Sequence, residues 1–172
     1  MQIYMKYGFN DFIICCGYKG HLIKNYFNKL VRKNNNNNFI VRKNYFELNK
    51  KNKKIFSVNC VNTGKNTMTG GRVKRIENYI EEENFFLTYG DGLANINIKK
   101  LLKFHQSHKK IATVTSVQPP SRYGILDIKF KNKNLVSSFN EKPKKKNYFI
   151  NGGFFVLSKK IFKFIKNDQT IF

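Results

Sequence analysis

Short apolar runs that stop at glycine, alternating with stretches of helical spacing, constrain this chain more than any other feature. Asp11-Phe12-Ile13-Ile14-Cys15-Cys16 ends at Gly17, and Phe85-Phe86-Leu87-Thr88-Tyr89 ends at Gly90-Asp91-Gly92. Runs this short and this apolar suit buried strands rather than helices, and parallel strands covered on both faces in particular. Between them Leu22, Ile23, Tyr26, Phe27, Leu30 and Val31 recur at the spacing of one helix face, ending near Arg32-Lys33. Strand, helix, strand in sequence predicts an α/β layer fold.

The rest of the chain extends the pattern. Asn34 to Asn38 reads as a loop, then Phe39 to Leu48 and Ile55 to Val61 as strands around a lysine-rich turn. Asn62 to Gly71 is a polar loop. A helix is expected from about Arg72, with Val73, Ile76, Tyr79 and Ile80 on one face. Ile98, Leu101, Leu102 and His105 suggest another helix, and Ile111 to Val117 a strand. Gln118 to Gly124 is a loop with two prolines, and Ile125 to Phe130 with Leu135 to Phe139 forms a hairpin. Tyr148 to Leu157 is a strand interrupted by Gly152-Gly153, and Ile161, Phe162, Phe164 and Ile165 open a last helix. No internal repeat or linker divides the 172 residues, so a single domain is expected.

The formal net charge of +23 raises the question of a nucleic-acid or anionic-membrane partner. The cations are scattered, however. Lys50-Lys51-Asn52-Lys53-Lys54, Lys109-Lys110 and Lys144-Lys145-Lys146 fall at turn-like positions rather than along one helix face. Heavy use of Lys, Asn, Ile and Phe, all encoded by AT-rich codons, favours compositional drift over a nucleic-acid surface. No run approaches the roughly 18 apolar residues of a membrane helix, and Met1 to Gly8 has no cleavage-site pattern. Cys15, Cys16 and Cys60 give neither a disulfide framework nor zinc spacing, which suits a reducing cytoplasm.

Four segments hold residues suited to chemistry. Asp91, between glycines at a strand's C-terminal end, stands where ligands bind in open α/β sheets, and its carboxylate suits Mg²⁺. The same dipeptide also suits a plain tight turn. Thr63-Gly64-Lys65-Asn66-Thr67-Met68-Thr69-Gly70-Gly71-Arg72 runs into a helix start carrying Arg72, Lys74 and Arg75. Helix-start amides and guanidinium groups attract phosphate, and a solvated basic helix end is the alternative. Glu141-Lys142-Pro143 offers a carboxylate for hydroxyls and a point charge for phosphate, or else an exposed ion pair. Asn151-Gly152-Gly153 within an aromatic strand marks a bulge or a close approach, and Tyr123-Gly124 is a weaker segment of that kind. His21, His105 and His108 have no metal-type pairing, and His105 reads as core-edge. Cys15 and Cys16 read as packing.

In this order the segments resemble the sugar-phosphate nucleotidylyltransferases. Asp11 to Gly20 and Met68-Thr69-Gly70-Gly71-Arg72 resemble the glucose-1-phosphate cytidylyltransferase branch in particular. Thr88 to Gly92, Glu141-Lys142-Pro143 and Ile150 to Val156 are shared more widely. The resemblance implies a Rossmann-like nucleotidyltransferase fold with a mixed, mainly parallel sheet. It implies cytidylyl transfer from CTP to α-D-glucose 1-phosphate with Mg²⁺, in the cytoplasm, with CDP-glucose feeding surface-polysaccharide synthesis. Asp91 would hold Mg²⁺ with Gly90 beside the substrate. Thr67 and Arg72 would contact the nucleotide, Glu141 the glucose hydroxyls and Lys142 the sugar phosphate; Tyr123, Gly124, Asn151 and Gly152 complete the substrate set. The family's Gly-Gly-x-Gly-Thr-Arg loop, its Pro-Lys-Pro lysine and its second Mg²⁺ aspartate have no counterpart here. Residues 1–172 are therefore expected to be a partial domain, inactive alone. Another sugar-1-phosphate nucleotidylyltransferase, or a non-catalytic basic remnant that binds nucleic acid, remains an open alternative, as does the oligomeric state.

Overall fold

A computed structural model describes residues 1–33, 39–51, 53–118, 125–129, 135–140 and 149–172. Its elements are α1 (Gln2–Met5), β1 (Asp11–Cys16), α2 (Gly20–Lys33), β2 (Phe39–Arg42), β3 (Tyr45–Lys50), β4 (Lys53–Asn62), α3 (Thr69–Lys74), β5 (Asn84–Thr88), α4 (Ile98–His108), β6 (Ala112–Val117), β7 (Ile125–Lys129), β8 (Leu135–Asn140) and β9 (Ile150–Ser158). Single 3₁₀ turns occupy Glu77–Tyr79 and Lys159–Lys163. The α/β expectation holds and the first sheet is mixed, but two of its three pairings are antiparallel, against the mainly parallel sheet expected. The strand order is β1-β4-β3-β2, with β1 parallel to β4 and the other two pairings antiparallel. A second sheet has the order β5-β9-β6, and β7 with β8 forms the expected antiparallel hairpin.

The chain divides into two compact units. The first comprises Met1–Phe86, Ala94–Thr113 and Val156–Phe172, and the second Leu87–Leu93 and Val114–Phe155. A core of the first unit joins Cys16, Phe27, Phe46, Phe56, Val58 and Cys60, with Leu30 and Val31 of α2 packed against it. Phe46 is 1% exposed and stacks on Phe27 with ring centroids 5.5 Å apart. Burial of one such ring contributes about 1.5–3 kcal/mol.

Several elements depart from the sequence reading. Phe39 to Leu48 is two strands, because Lys43 takes a left-handed conformation (φ 47°) and turns the chain between Arg42 and Tyr45. Of the six apolar positions of α2, Phe27 is buried and Leu30 and Val31 pack on the core. Leu22, Ile23 and Tyr26 remain exposed, so only the C-terminal half of that face meets the sheet. Helix α3 begins at Thr69 rather than Arg72 and ends at Lys74; Val73 and Ile76 are buried, but Tyr79 is 48% exposed. The last helix is only the 3₁₀ turn Lys159–Lys163, which Ser158 opens by accepting from the Lys160 N–H (3.3 Å). Beyond it the backbone returns to α3, where Asp168 and Thr170 carbonyls accept from Met68, Gly70 and Gly71. Those tertiary hydrogen bonds replace helical ones.

The turn reading of the charge runs holds where it is described. Lys50 pairs with Lys53 across a hairpin in which Lys51 has φ 50°, and Lys109 caps α4 with φ 55°. Lys144 to Lys146 and the Asn34 to Asn38 loop lie outside the described residues. Among the described residues no helix is long and apolar enough to cross a membrane.

Candidate active site

Two parallel strands of the first unit end side by side, with Cys16 opposite Asn62. Both chain ends then lead into helices, and the loop after β4 carries the first group of candidate residues. Thr63, fully buried, donates its hydroxyl to the Cys16 carbonyl (3.1 Å), which ties the two strand ends together. Arg72 reaches back from α3 over the same loop. Its Nη1 donates to Thr63 Oγ1 and to the Gly64 carbonyl, both at 2.8 Å, and its Nη2 donates to the Lys65 carbonyl at 3.3 Å. Gly17 makes room for this guanidinium, since a Cβ there would collide with it.

Gly64, which has φ +86°, has close neighbours on two sides. Arg72 holds its carbonyl, while Thr67 Oγ1 and Arg75 Nη1 stand 2.7 and 2.8 Å from where a Cβ of Gly64 would be. Thr67 is buried to 7% exposure. Tyr18 lies exposed, with the Lys19 and Lys65 ammonium groups 5.3 and 5.6 Å from its ring centroid. That is cation–π range, and it links the loops that follow β1 and β4.

The amides at the start of α3 are not open to phosphate, contrary to the sequence expectation. The Met68 N–H donates to the Asp168 carbonyl, and the Gly70 and Gly71 N–H groups donate to the Thr170 carbonyl. Asp168 was not foreseen as part of this region, and neither was its bidentate pairing with Arg75 (2.9 and 2.5 Å). Paired glycines at a helix start were the available signal for such a close backbone approach.

The second unit carries the other group. Tyr89-Gly90-Asp91-Gly92 is a tight turn closed by the Gly92 N–H on the Tyr89 carbonyl (3.1 Å). Its base is anchored to β9, because the Tyr89 N–H and the Thr88 hydroxyl both donate to the Gly153 carbonyl (3.2 and 3.0 Å). Asn151 joins in, donating to the Tyr89 hydroxyl (3.2 Å) and accepting from the Gly153 N–H (2.8 Å). Gly153 has φ +77°, and Gly152 leaves no space for a Cβ against Thr115, so the two glycines serve backbone geometry here. Asp91 is exposed, and among the described residues its carboxylate has no hydrogen bond or ion pair. No cluster of three metal-ligating side chains occurs among the described residues.

Gly90, Asp91, Asn151 and Gly152 thus share one turn-and-strand arrangement, and Thr67 and Arg72 share another in the first unit. Tyr123, Gly124, Glu141 and Lys142 lie outside the described residues. Cys16 and Cys60 are buried and Cys15 partly so, in keeping with packing. Burial pushes the Cys15 thiol up to about 11 against the opposing charge of Arg72, and the Cys60 thiol up to about 12. His105 is core: Thr113 Oγ1 lies 2.9 Å from Nδ1, and Asn84 Oδ1 lies 3.1 Å from Nε2.

A mixed α/β sheet with polar loops at the ends of parallel strands is the arrangement in which α/β proteins bind ligands. The chain belongs to the nucleotidyl transferase family, whose profile matches residues 3–170. It is 44% identical over 171 residues to a glucose-1-phosphate cytidylyltransferase of Salmonella typhimurium, covering 99% of this chain and 65% of that one. A probable glucose-1-phosphate cytidylyltransferase of Bacillus subtilis is 38% identical over 173 residues, covering 100% of this chain and 66% of its own. Among solved structures, HddC from Yersinia pseudotuberculosis matches all of this chain and 66% of its own with a TM-score of 0.61 and 26% identity. UDP-glucose pyrophosphorylase, at a TM-score of 0.52 and 17% identity over 94% of this chain and 63% of its own, shares the fold. The chain thus spans about two thirds of the length of the relatives it matches.

Proposed function

We propose that the protein transfers a cytidylyl group from CTP to α-D-glucose 1-phosphate, releasing CDP-glucose and pyrophosphate. The observation that carries this is the 44% identity to the Salmonella cytidylyltransferase over 99% of the chain. In this reading a phosphate oxygen of glucose 1-phosphate attacks the α-phosphorus of CTP in line. The new P–O bond forms as the bond to the bridging β-phosphate oxygen breaks, and pyrophosphate leaves with that electron pair. The substrate brings its own nucleophile, so the protein's task is positioning and charge compensation.

Thr67 and Arg72 take the nucleotide side. Arg72 is a fixed positive charge, because three of its hydrogen bonds already go to the chain. Glu141 and Lys142 take the glucose hydroxyls and the sugar phosphate, and Tyr123, Gly124, Asn151 and Gly152 are the further substrate residues. Asp91 fits a Mg²⁺ ligand. Its carboxylate is exposed and uncommitted among the described residues, and Mg²⁺ is commonly held by one or two carboxylates together with substrate phosphates. When bound, the ion would neutralise phosphate charge. The turn that holds Asp91 is backbone-bonded, so among the described residues the carboxylate has no side-chain partner to displace.

The test is nucleotide competition in the full-length protein. CTP, UTP, GTP and dTTP are supplied together with glucose 1-phosphate and Mg²⁺, and the sugar nucleotides formed are separated. CDP-glucose is expected to dominate. A dominant product with another base would overturn the cytidylyl assignment while leaving the family intact.

A further inference from the structure

Residues 167–172 do more than end the first unit. They lie on the start of α3 through backbone hydrogen bonds: Met68 N–H to the Asp168 carbonyl (2.8 Å), and Gly70 and Gly71 N–H to the Thr170 carbonyl (2.9 and 3.2 Å). The Phe172 N–H adds a bond to Thr69 Oγ1 (2.8 Å). This contact is so close that a Cβ on Gly71 would stand 2.5 Å from the Asp168 carbonyl oxygen and 2.6 Å from its Cα. Backbone atoms cannot swing aside as a side-chain end can, so the docked segment depends on glycine at 71.

Docking sets the Asp168 carboxylate against Arg75. The fork is bidentate, Nε to Oδ1 at 2.9 Å and Nη2 to Oδ2 at 2.5 Å. It uses one edge of the guanidinium. The remaining nitrogen, Nη1, faces Gly64, on the same side as Thr67 Oγ1. Both partners are largely solvated, at 43% and 44% exposure, and exposed ion pairs add little to folding stability. What a bidentate fork does supply is orientation, since two parallel bonds fix a planar group where one would let it turn. The order of contacts is therefore Gly71, then Asp168, then Arg75, then the Gly64–Thr67 turn.

We propose that Asp168 is a positioning residue for nucleotide recognition. Through Arg75 it holds the Gly64–Thr67 turn in the form that presents Thr67. The proposal rests on the assignment of Thr67 to the nucleotide side. Asp168→Asn is the informative change, because it keeps the backbone carbonyl that binds Met68 and alters only the fork. One amide oxygen and no charge replace two carboxylate oxygens.

The experiment is steady-state kinetics of the full-length protein with each substrate varied, together with thermal melting. Asp168→Asn is expected to raise KM for CTP about five- to tenfold, as for loss of a charge-assisted contact. KM for glucose 1-phosphate and the melting temperature should stay near the parent values, and kcat should fall by less than about twofold. The swapped pair Arg75→Asp with Asp168→Arg should recover part of the CTP KM lost in either single variant. Thr67→Val separates the two layers of the argument. If it leaves CTP KM unchanged, the nucleotide assignment of Thr67 fails, and the positioning role fails with it. If Thr67→Val raises CTP KM but Asp168→Asn does not, the positioning role alone is overturned. Equal rises in both KM values, or a melting temperature lowered by the Asn variant, would make Asp168 a structural strut and also contradict the proposal.

Discussion

The loop Thr63 to Arg72 and the turn Tyr89 to Gly92 carry the two halves of the candidate chemistry, and they are built on opposite terms. In the loop the guanidinium of Arg72 and the hydroxyl of Thr63 are already bonded within the chain. Arg72 holds Thr63, Gly64 and Lys65, Thr63 holds Cys16, and Arg75 is held by Asp168. In the turn only the backbone and its neighbours are bonded, through Gly92 to Tyr89 and through Tyr89 and Thr88 to Gly153. Its one charged side chain, Asp91, has no partner among the described residues. A cation that must keep its direction gains from being tied down. A carboxylate that is to bind something from outside gains from being left alone, because any internal partner would have to be given up first.

The largest effect that separates the two regions is expected at Asp91. Asp91→Asn keeps size and turn geometry but removes the charge, so turnover of the full-length protein should fall by about a hundred- to a thousandfold with an unchanged melting temperature. Near-normal turnover would place the metal elsewhere. Gly71→Ala should do the reverse and act on folding first. The added methyl meets the backbone of Asp168, so the melting temperature should drop by several degrees, with destabilisation on the order of 1–3 kcal/mol from overpacking. A stable Ala variant would show that residues 167–170 can dock without the close approach.

The smallest effect lies away from both regions and serves as their control. His105 is buried, and burial followed by the nearby charge of His108 lowers its pKa. The fold therefore favours neutral His105, and the unfolded chain binds the proton more readily. Its contribution to stability is full above the unfolded value near 6.5 and is lost as pH falls from there through the lowered folded value. Melting temperatures between about pH 7.5 and pH 5.5 should decline on acidification, and His105→Gln should flatten that decline. An identical slope in the variant would remove His105 as its cause.

Much of this architecture was legible because run length and glycine punctuation carry real information. Asp11–Cys16 is a strand ending directly before Gly17, and Asn84–Thr88 is one that stops a residue short of the Tyr89 end expected before Gly90. What escaped notice was set by tertiary contacts. Lys43 turns a hairpin in a left-handed conformation that nothing in a lysine advertises. Gly70 and Gly71 read as loop because glycine is a poor helix former, yet they open α3 because a second backbone lies on them. The same contact explains the missing last helix, since Asp168 and Thr170 bond to α3 instead of continuing a helical ladder. At the site, Asp91 and Arg72 could be named from local sequence. Asp168 could not, because it lies 93 residues from Arg75 and forms no motif with it.

The division of labour between the two regions is tested most directly by the Mg²⁺ dependence of CTP binding, measured by titration calorimetry on the full-length protein and its Asp91→Asn variant. The loop is expected to bind CTP alike in both proteins without metal, since Arg72 and Thr67 are untouched. Added Mg²⁺ should tighten CTP binding in the parent and leave the variant unchanged. An equal Mg²⁺ enhancement in both would contradict the assignment of the metal to the Gly90-Asp91 turn.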